Sequence, residues 1–117
     1  MSDLNALMQQ PGAEAAFEMN DRGELVSHVI SGGSKLNAEA LDLMAHMCVA
    51  NIAIATMQAR GWEAQSDAKG FYPVNGFTLV GMDWSVVTNG NKGVVIANDG
   101  ADYEGAYVAL EQQGDAA

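Results

Sequence analysis

From Asn37 to about Ala59 the sequence has helical periodicity, and it is apolar on two opposite faces. Leu41, Met44, Ala45, Cys48, Ile52, Ala55 and Ala59 form one stripe. Leu43, Met47, Ala50, Ile54 and Met57 form a second, roughly half a turn away at about 100° per residue. Asp42, His46 and Arg60 separate the stripes on one side, Asn51 and Gln58 on the other. A helix on the surface of a monomer needs a single apolar stripe against its core. The second stripe must be covered by something else, and for a short chain the nearest source is another copy of itself. The pattern therefore says more about assembly than about chemistry.

The 117 residues suit one domain, residues 1–117, and nearly half are apolar, enough for a substantial core. Fifteen Asp and Glu stand against five Lys and Arg, and the five (Arg22, Lys35, Arg60, Lys69, Lys92) are scattered. Without a basic stripe, a nucleic-acid partner is not expected. Acidity of this degree also repels an anionic membrane surface while keeping the chain soluble. Cys48 is the only cysteine, so no internal disulfide can form. The opening Met-Ser-Asp-Leu-Asn lacks the basic and apolar regions of a signal peptide. The apolar run around Met47 to Ala55 is shorter than a bilayer requires. A cytoplasmic protein with no membrane contact is the expectation.

Turn chemistry divides the rest of the chain. Ser2 to Gln10 reads as a helix capped by Ser2 and ended by Pro11-Gly12. Ala13 to Met19 and Glu24 to Ile30 read as a hairpin around Asn20-Asp21-Arg22-Gly23. Asn37 caps the long helix, which either ends at Gly61 or runs on to about Ala68, since Trp62 and Ser66 keep the first stripe's spacing. The longer version is favoured, although an internal Gly costs about 1 kcal/mol relative to Ala. Phe77 to Met82, Trp84 to Thr88 and Gly93 to Asn98 read as strands, with Asn89-Gly90 marking a tight turn. Asp102 to Gln112 closes as a helix. The expected fold class is α+β, a five-stranded antiparallel sheet with helices on both faces in the order α-β-β-α-β-β-β-α.

Residues able to do chemistry are few. Asp42 and His46, four apart on the helix, suit either acid–base work or a surface pair worth a few tenths of a kcal/mol, and the second is favoured. His28 reads as a half-exposed strand residue. Cys48 with Met44 and Met47 has soft-ligand character, but these residues also fill irregular apolar volume, the preferred reading. Cys48 itself reads as buried and inert. Gly32-Gly33-Ser34-Lys35 lacks the phosphate-loop spacing, and Asn98-Asp99-Gly100 with Asp102 and Glu104 lacks that of a calcium loop. No metal, cofactor or catalytic residue is expected. The aromatics Trp62, Phe71, Tyr72, Phe77 and Trp84 bracket the third strand and read equally well as core or as part of an exposed edge open to β-augmentation.

Several segments together resemble the Roadblock/dynein-light-chain family, of the longin- and profilin-like class, and specifically a prokaryotic Roadblock-related branch. They are Leu7-Met8-Gln9-Gln10-Pro11-Gly12-Ala13 followed by Ala15-Ala16, Asp21-Arg22-Gly23-Glu24-Leu25-Val26, Met47-Cys48-Val49-Ala50-Asn51, Pro73-Val74-Asn75-Gly76-Phe77 and Gly90-Asn91-Lys92-Gly93-Val94. These are turns and core positions, so they speak for fold and carry no chemistry. The resemblance implies a homodimer with packed long helices and joined edge strands, in keeping with the two-striped helix. It also implies a non-catalytic regulatory or scaffold role toward a small GTPase or a subunit of a larger complex. Neither Arg22, in a turn, nor Arg60 is placed as an obvious arginine finger, so scaffolding is the expected mode. The expected subunit contact comprises Leu43, Met47, Ala50, Ile54 and Met57, with Phe77 and Leu79 on the pairing edge. The alternative is a small-ligand or metal sensor with a pocket between long helix and sheet, lined by Cys48, Met44 and the aromatics.

Overall fold

The computed structural model describes residues 4–115. Its elements run α1 (Leu4–Leu7), β1 (Ala13–Met19), β2 (Leu25–Ile30), α2 (Ala38–Ser66), β3 (Thr78–Val80), β4 (Trp84–Asn89), β5 (Lys92–Ala97) and α3 (Tyr103–Asp115). The five strands form one sheet in the order β2-β1-β5-β4-β3, every pairing antiparallel. This is the expected α+β architecture.

Strand alternation divides the core into two layers. On one face Ala15, Phe17, Met19, Val86 and Val95 pack with Leu41, Ala45 and Cys48 of α2. On the other, Ala16, Val87, Val94 and Ile96 pack with Leu4 and Leu7 of α1 and Ala106 and Leu110 of α3. The opposed pairs Val86–Val95 and Val87–Val94 thus send adjacent residues of β4 and β5 into different layers.

The first hairpin closes through Asn20, whose side-chain oxygen accepts the backbone N–H groups of Arg22 and Glu24. Gly23 has φ +83°, and a Cβ there would lie 2.9 Å from the Cα of His46. Only glycine gives the turn both the left-handed backbone and the close approach to α2. Asp42 reinforces that junction by accepting the Leu25 N–H at 3.0 Å.

The elements differ from expectation mainly at their ends. Helix α1 is a single turn, and the proposed Ser2 cap lies outside the described residues. Helix α2 passes through Gly61 to Ser66, where Asp67 adopts φ +59° and returns its N–H to Glu63 O. Its Asn37 cap is as expected, the side chain accepting the Ala40 N–H. Strand β3 stops at Val80, not Met82, because the Gly81 N–H turns back to Trp84 O at 2.8 Å. Asn98 holds that turn by donating from Nδ2 to the carbonyls of Gly81 and Met82, while its Oδ1 accepts from Ser85 and Tyr103. Strand β5 starts one residue earlier than expected, with Asn89 and Lys92 paired around a two-residue loop. Gly90 leads that loop with φ +64°, the position a type II′ hairpin reserves for glycine.

Candidate interaction surface

At ~1.5 Å per residue, the 29 residues of α2 extend ~43 Å, close to the 47 Å long axis of the whole molecule. Its inner stripe is covered: Leu41, Ala45, Cys48 and Ala59 are buried, and Met44 and Ile52 pack half-buried against the core. The second stripe faces solvent along its length. Leu43 is 63% exposed, Met47 47%, Ile54 55% and Met57 70%, with Ala50 exposed between them. Leaving side chains of this size in water forgoes roughly 1.5–3 kcal/mol each relative to full burial. Contiguous exposed apolar patches are uncommon on monomeric proteins.

By length and composition alone α2 is also sufficient to cross a membrane, contrary to the expectation drawn from the shorter run Met47 to Ala55. The difference comes from the apolar residues on either side of that run, from Leu41 to Met57, all of them before Gly61. Moving the helix into lipid would, however, uncover Phe17, Met19, Val86 and Val95, which it now shields.

The second part of the surface is β3. Among the described residues it pairs only with β4, and all three of its residues are exposed, Leu79 and Val80 among them. Among the described residues its outer side faces no further strand, and an edge of this kind can accept one. Met82, in the turn beyond it, is 94% exposed. Phe77 precedes β3 and packs half-buried against the α2-side core, with its N–H given to Thr88 Oγ1. Phe77 thus braces the edge, while Leu79 projects from it. The five outer-stripe residues lie together on α2; Phe77 and Leu79 lie on the edge segment that follows.

Residues 67–77 join the two parts and run back along the end of α2 as a strap. One carboxylate oxygen, Glu63 Oε2, accepts three successive backbone N–H groups, from Gly70 (2.8 Å), Phe71 (2.7 Å) and Tyr72 (3.0 Å). On either side of it Trp62 meets Phe71 edge-on, centroids 6.1 Å apart, and Arg60 lies 4.9 Å from the Tyr72 ring centre while donating to its hydroxyl. Three of the five aromatics left undecided by the sequence therefore serve the strap. The sequence offered no signal for Glu63, because its partners are backbone groups.

The Tyr72 and Phe71 amides, with that of Gly70 and the charge of Lys69, hold the Glu63 carboxyl below its usual range. A depressed carboxylate contributes its stability above the ordinary pKa and loses it as pH falls through the lowered one. Acid titration is therefore expected to release the strap below the usual carboxylate range, read as a change in Trp62 fluorescence that precedes loss of core ellipticity. Simultaneous loss of both signals would show that the strap has no separate transition.

The candidate chemical groups are not assembled into a reactive site. His46 Nδ1 lies 2.7 Å from the carbonyl of Asp42 and 3.8 Å from its carboxylate, and the other carboxylate oxygen is engaged by Leu25. The favoured surface-pair reading fits this geometry. Cys48 is buried in the core while Met47 points to solvent, so the soft-ligand trio does not converge. Among the described residues no group of three or more His, Cys, Asp or Glu is placed to hold a metal ion. An open cleft of about 330 Å³ between the middle of α2 and the turns of the two hairpins is lined by Met19, Asn20, Asp21, Val49, Ile52, Gly90 and Asn91. It contains neither Cys48, Met44 nor an aromatic, unlike the pocket envisaged for a sensor, because the space beneath Cys48 is filled by core side chains.

Burial pushes the Cys48 thiol up to about 11. A neutral thiol favoured by folding gives stability that is complete below its ordinary pKa and lost as pH rises toward the folded value. Native protein is thus expected to resist thiol-directed reagents at neutral pH and become reactive between about pH 9 and 11 as it loosens. Rapid labelling of folded protein at pH 7 would contradict the buried placement.

The fold is that of the Roadblock/LC7 class. The solved structure of MglB with tetrameric arrangement is 14% identical, with 97% of this chain and 80% of that one covered at a TM-score of 0.76. For the Roadblock/LC7 domain from Streptomyces avermitilis the values are 12%, 96%, 88% and 0.75. For the gliding protein MglB from Thermus thermophilus they are 16%, 97%, 87% and 0.69. No curated protein matches the sequence. The chain belongs to the family described as "Uncharacterized conserved protein (DUF2173)", whose model matches residues 3–112.

Proposed function

We propose that this chain is a non-catalytic, self-pairing interaction module of the cytoplasm, which presents a composite surface to a regulated protein partner. The observation that carries this reading is the outer stripe of α2, apolar from Leu43 to Met57 and uncovered, on a helix whose opposite face is already packed on the sheet through Leu41, Ala45 and Cys48. In the proposed pair, Leu43, Met47, Ala50, Ile54 and Met57 of two copies pack together. The β3 edges, with Leu79 projecting and Phe77 bracing, join the two sheets. The likeness in fold to MglB with a tetrameric arrangement supports self-assembly. A small GTPase or a subunit of a larger complex is the class of partner proposed, following the Roadblock resemblance.

Sedimentation velocity over a range of concentrations tests the pairing. A dimer that dissociates on dilution is expected, and a monomer at every concentration would overturn it. Crosslinking and mass spectrometry of tagged protein from its native cells test the partner. A GTPase or complex subunit linked to α2 or the sheet would support the module, and links among its own copies alone would remove the partner claim.

A further inference from the structure

We propose that the Glu63 carboxylate is a latch that holds the strap of residues 67–77 closed beneath the end of α2, and that closure keeps the last turns of that helix folded. The inner residues of α2 from Leu41 to Cys48 rest on the sheet. The final turns have a different support. Arg60, Trp62 and Glu63 all bind the strap, through Tyr72, Phe71 and three consecutive amides. On a helix at about 100° per residue, Glu63 continues the inner stripe, with Arg60 and Trp62 flanking it. The strap thus replaces the sheet as the surface under the overhanging helix.

The materials of this contact are those of a separable unit. Glu63, Arg60, Trp62, Phe71 and Tyr72 are exposed or half-exposed, so the contact rests on charge-assisted hydrogen bonds and ring edges instead of a buried core. Gly61 lies within the same turns, where helix propensity is poor. Asp67, which ends the helix, returns its N–H to the backbone of Glu63 itself. Opening the latch therefore removes both the support under the helix and the anchor next to its cap. The outer stripe reaches Met57, one turn before Gly61, so the latch sets how far that face extends as ordered helix. This last consequence rests on the pairing reading; the latch does not.

Amide hydrogen exchange by NMR on dilute protein tests it, comparing wild type with Glu63→Gln and Glu63→Ala. The expected result is exchange faster by on the order of tenfold at Gly70, Phe71 and Tyr72 and across 61–66, strongest in Glu63→Ala, with Val87 and Val94 unchanged as proof of an intact core. Wild-type rates at the three strap amides in both variants would overturn the latch. Faster strap exchange with an unchanged helix end would overturn its hold on α2. Sedimentation of the wild type reads the pairing separately, so a chain that never pairs leaves this result interpretable.

Discussion

Replacing Ile54 with aspartate is expected to abolish self-pairing while leaving the monomer folded. Ile54 lies near the middle of the outer stripe and is 55% exposed, so in the monomer the new carboxylate stays in water. An exposed substitution of this kind changes stability by about 0.5 kcal/mol, much of it the poorer helix propensity of Asp. In the pair, the same carboxylate would be buried against apolar side chains with no cation opposite it. Among the described residues Arg60 is the only Lys or Arg on α2 and is engaged with Tyr72, while His46 lies beside Asp42. An unpaired buried charge costs about 3–5 kcal/mol, which at ~1.4 kcal/mol per factor of ten weakens association by roughly a hundredfold or more. Leu43→Asp should act in the same direction. Sedimentation velocity reads the association, and a thermal melt of dilute protein reads the fold. If Ile54→Asp sediments like the wild type, the outer stripe is not where two copies meet.

Gly76→Ala is the second substitution with a large expected effect, this time on the fold. A Cβ at position 76 would lie 2.0 Å from the carbonyl oxygen of Thr88 and 2.9 Å from the Cα of Asn89. Both are backbone atoms of β4, in the middle of a tight set of bonds. Thr88 N–H donates to Phe77 O, Phe77 N–H donates to Thr88 Oγ1, and Gly90 N–H donates to Asn75 O at 2.7 Å. The methyl group cannot be accommodated by rotating a side chain, so the segment leading into β3 must move away from β4. Overpacking with loss of one or two such hydrogen bonds is expected to cost about 2–4 kcal/mol. Chemical denaturation checks the magnitude, and exchange at the Thr88 and Gly90 amides checks the location. Unaltered stability would mean that this junction yields more easily than its backbone contacts imply.

The two effects lie at opposite ends of what can be read from a sequence. The stripes of α2 were legible because helical periodicity alone assigns Leu41, Ala45 and Cys48 to one face and Leu43, Met47 and Ile54 to the other. The structure buries the first set and exposes the second. The turns were legible because Asn20 to Gly23 and Asn89-Gly90 use residues with specific backbone preferences. Gly76, in contrast, carries no signal of the crowding that excludes a side chain there, since its neighbour Thr88 is far along the chain. The length of β3 was misjudged for a similar reason. Its alternating apolar residues continue toward Met82, but Asn98, also distant in sequence, captures the carbonyls of Gly81 and Met82 and fixes a turn.

The strap is the clearest case of a feature decided by tertiary structure. Propensity at Gly61 favours ending α2, and spacing at Trp62 and Ser66 favours continuing it; local sequence tipped only slightly toward the longer helix that the structure shows. Contacts from residues 70–72, which fold back onto Arg60, Trp62 and Glu63, carry the helix on to Ser66. Periodicity and turn chemistry by themselves determined the order of elements, the α+β class and the two-faced long helix, because those depend on residues close together in the chain. Strand ends, the excluded Cβ at Gly76 and the carboxylate at Glu63 were decided only when distant backbone groups met, because a peptide N–H or carbonyl leaves no mark of its partner in the sequence.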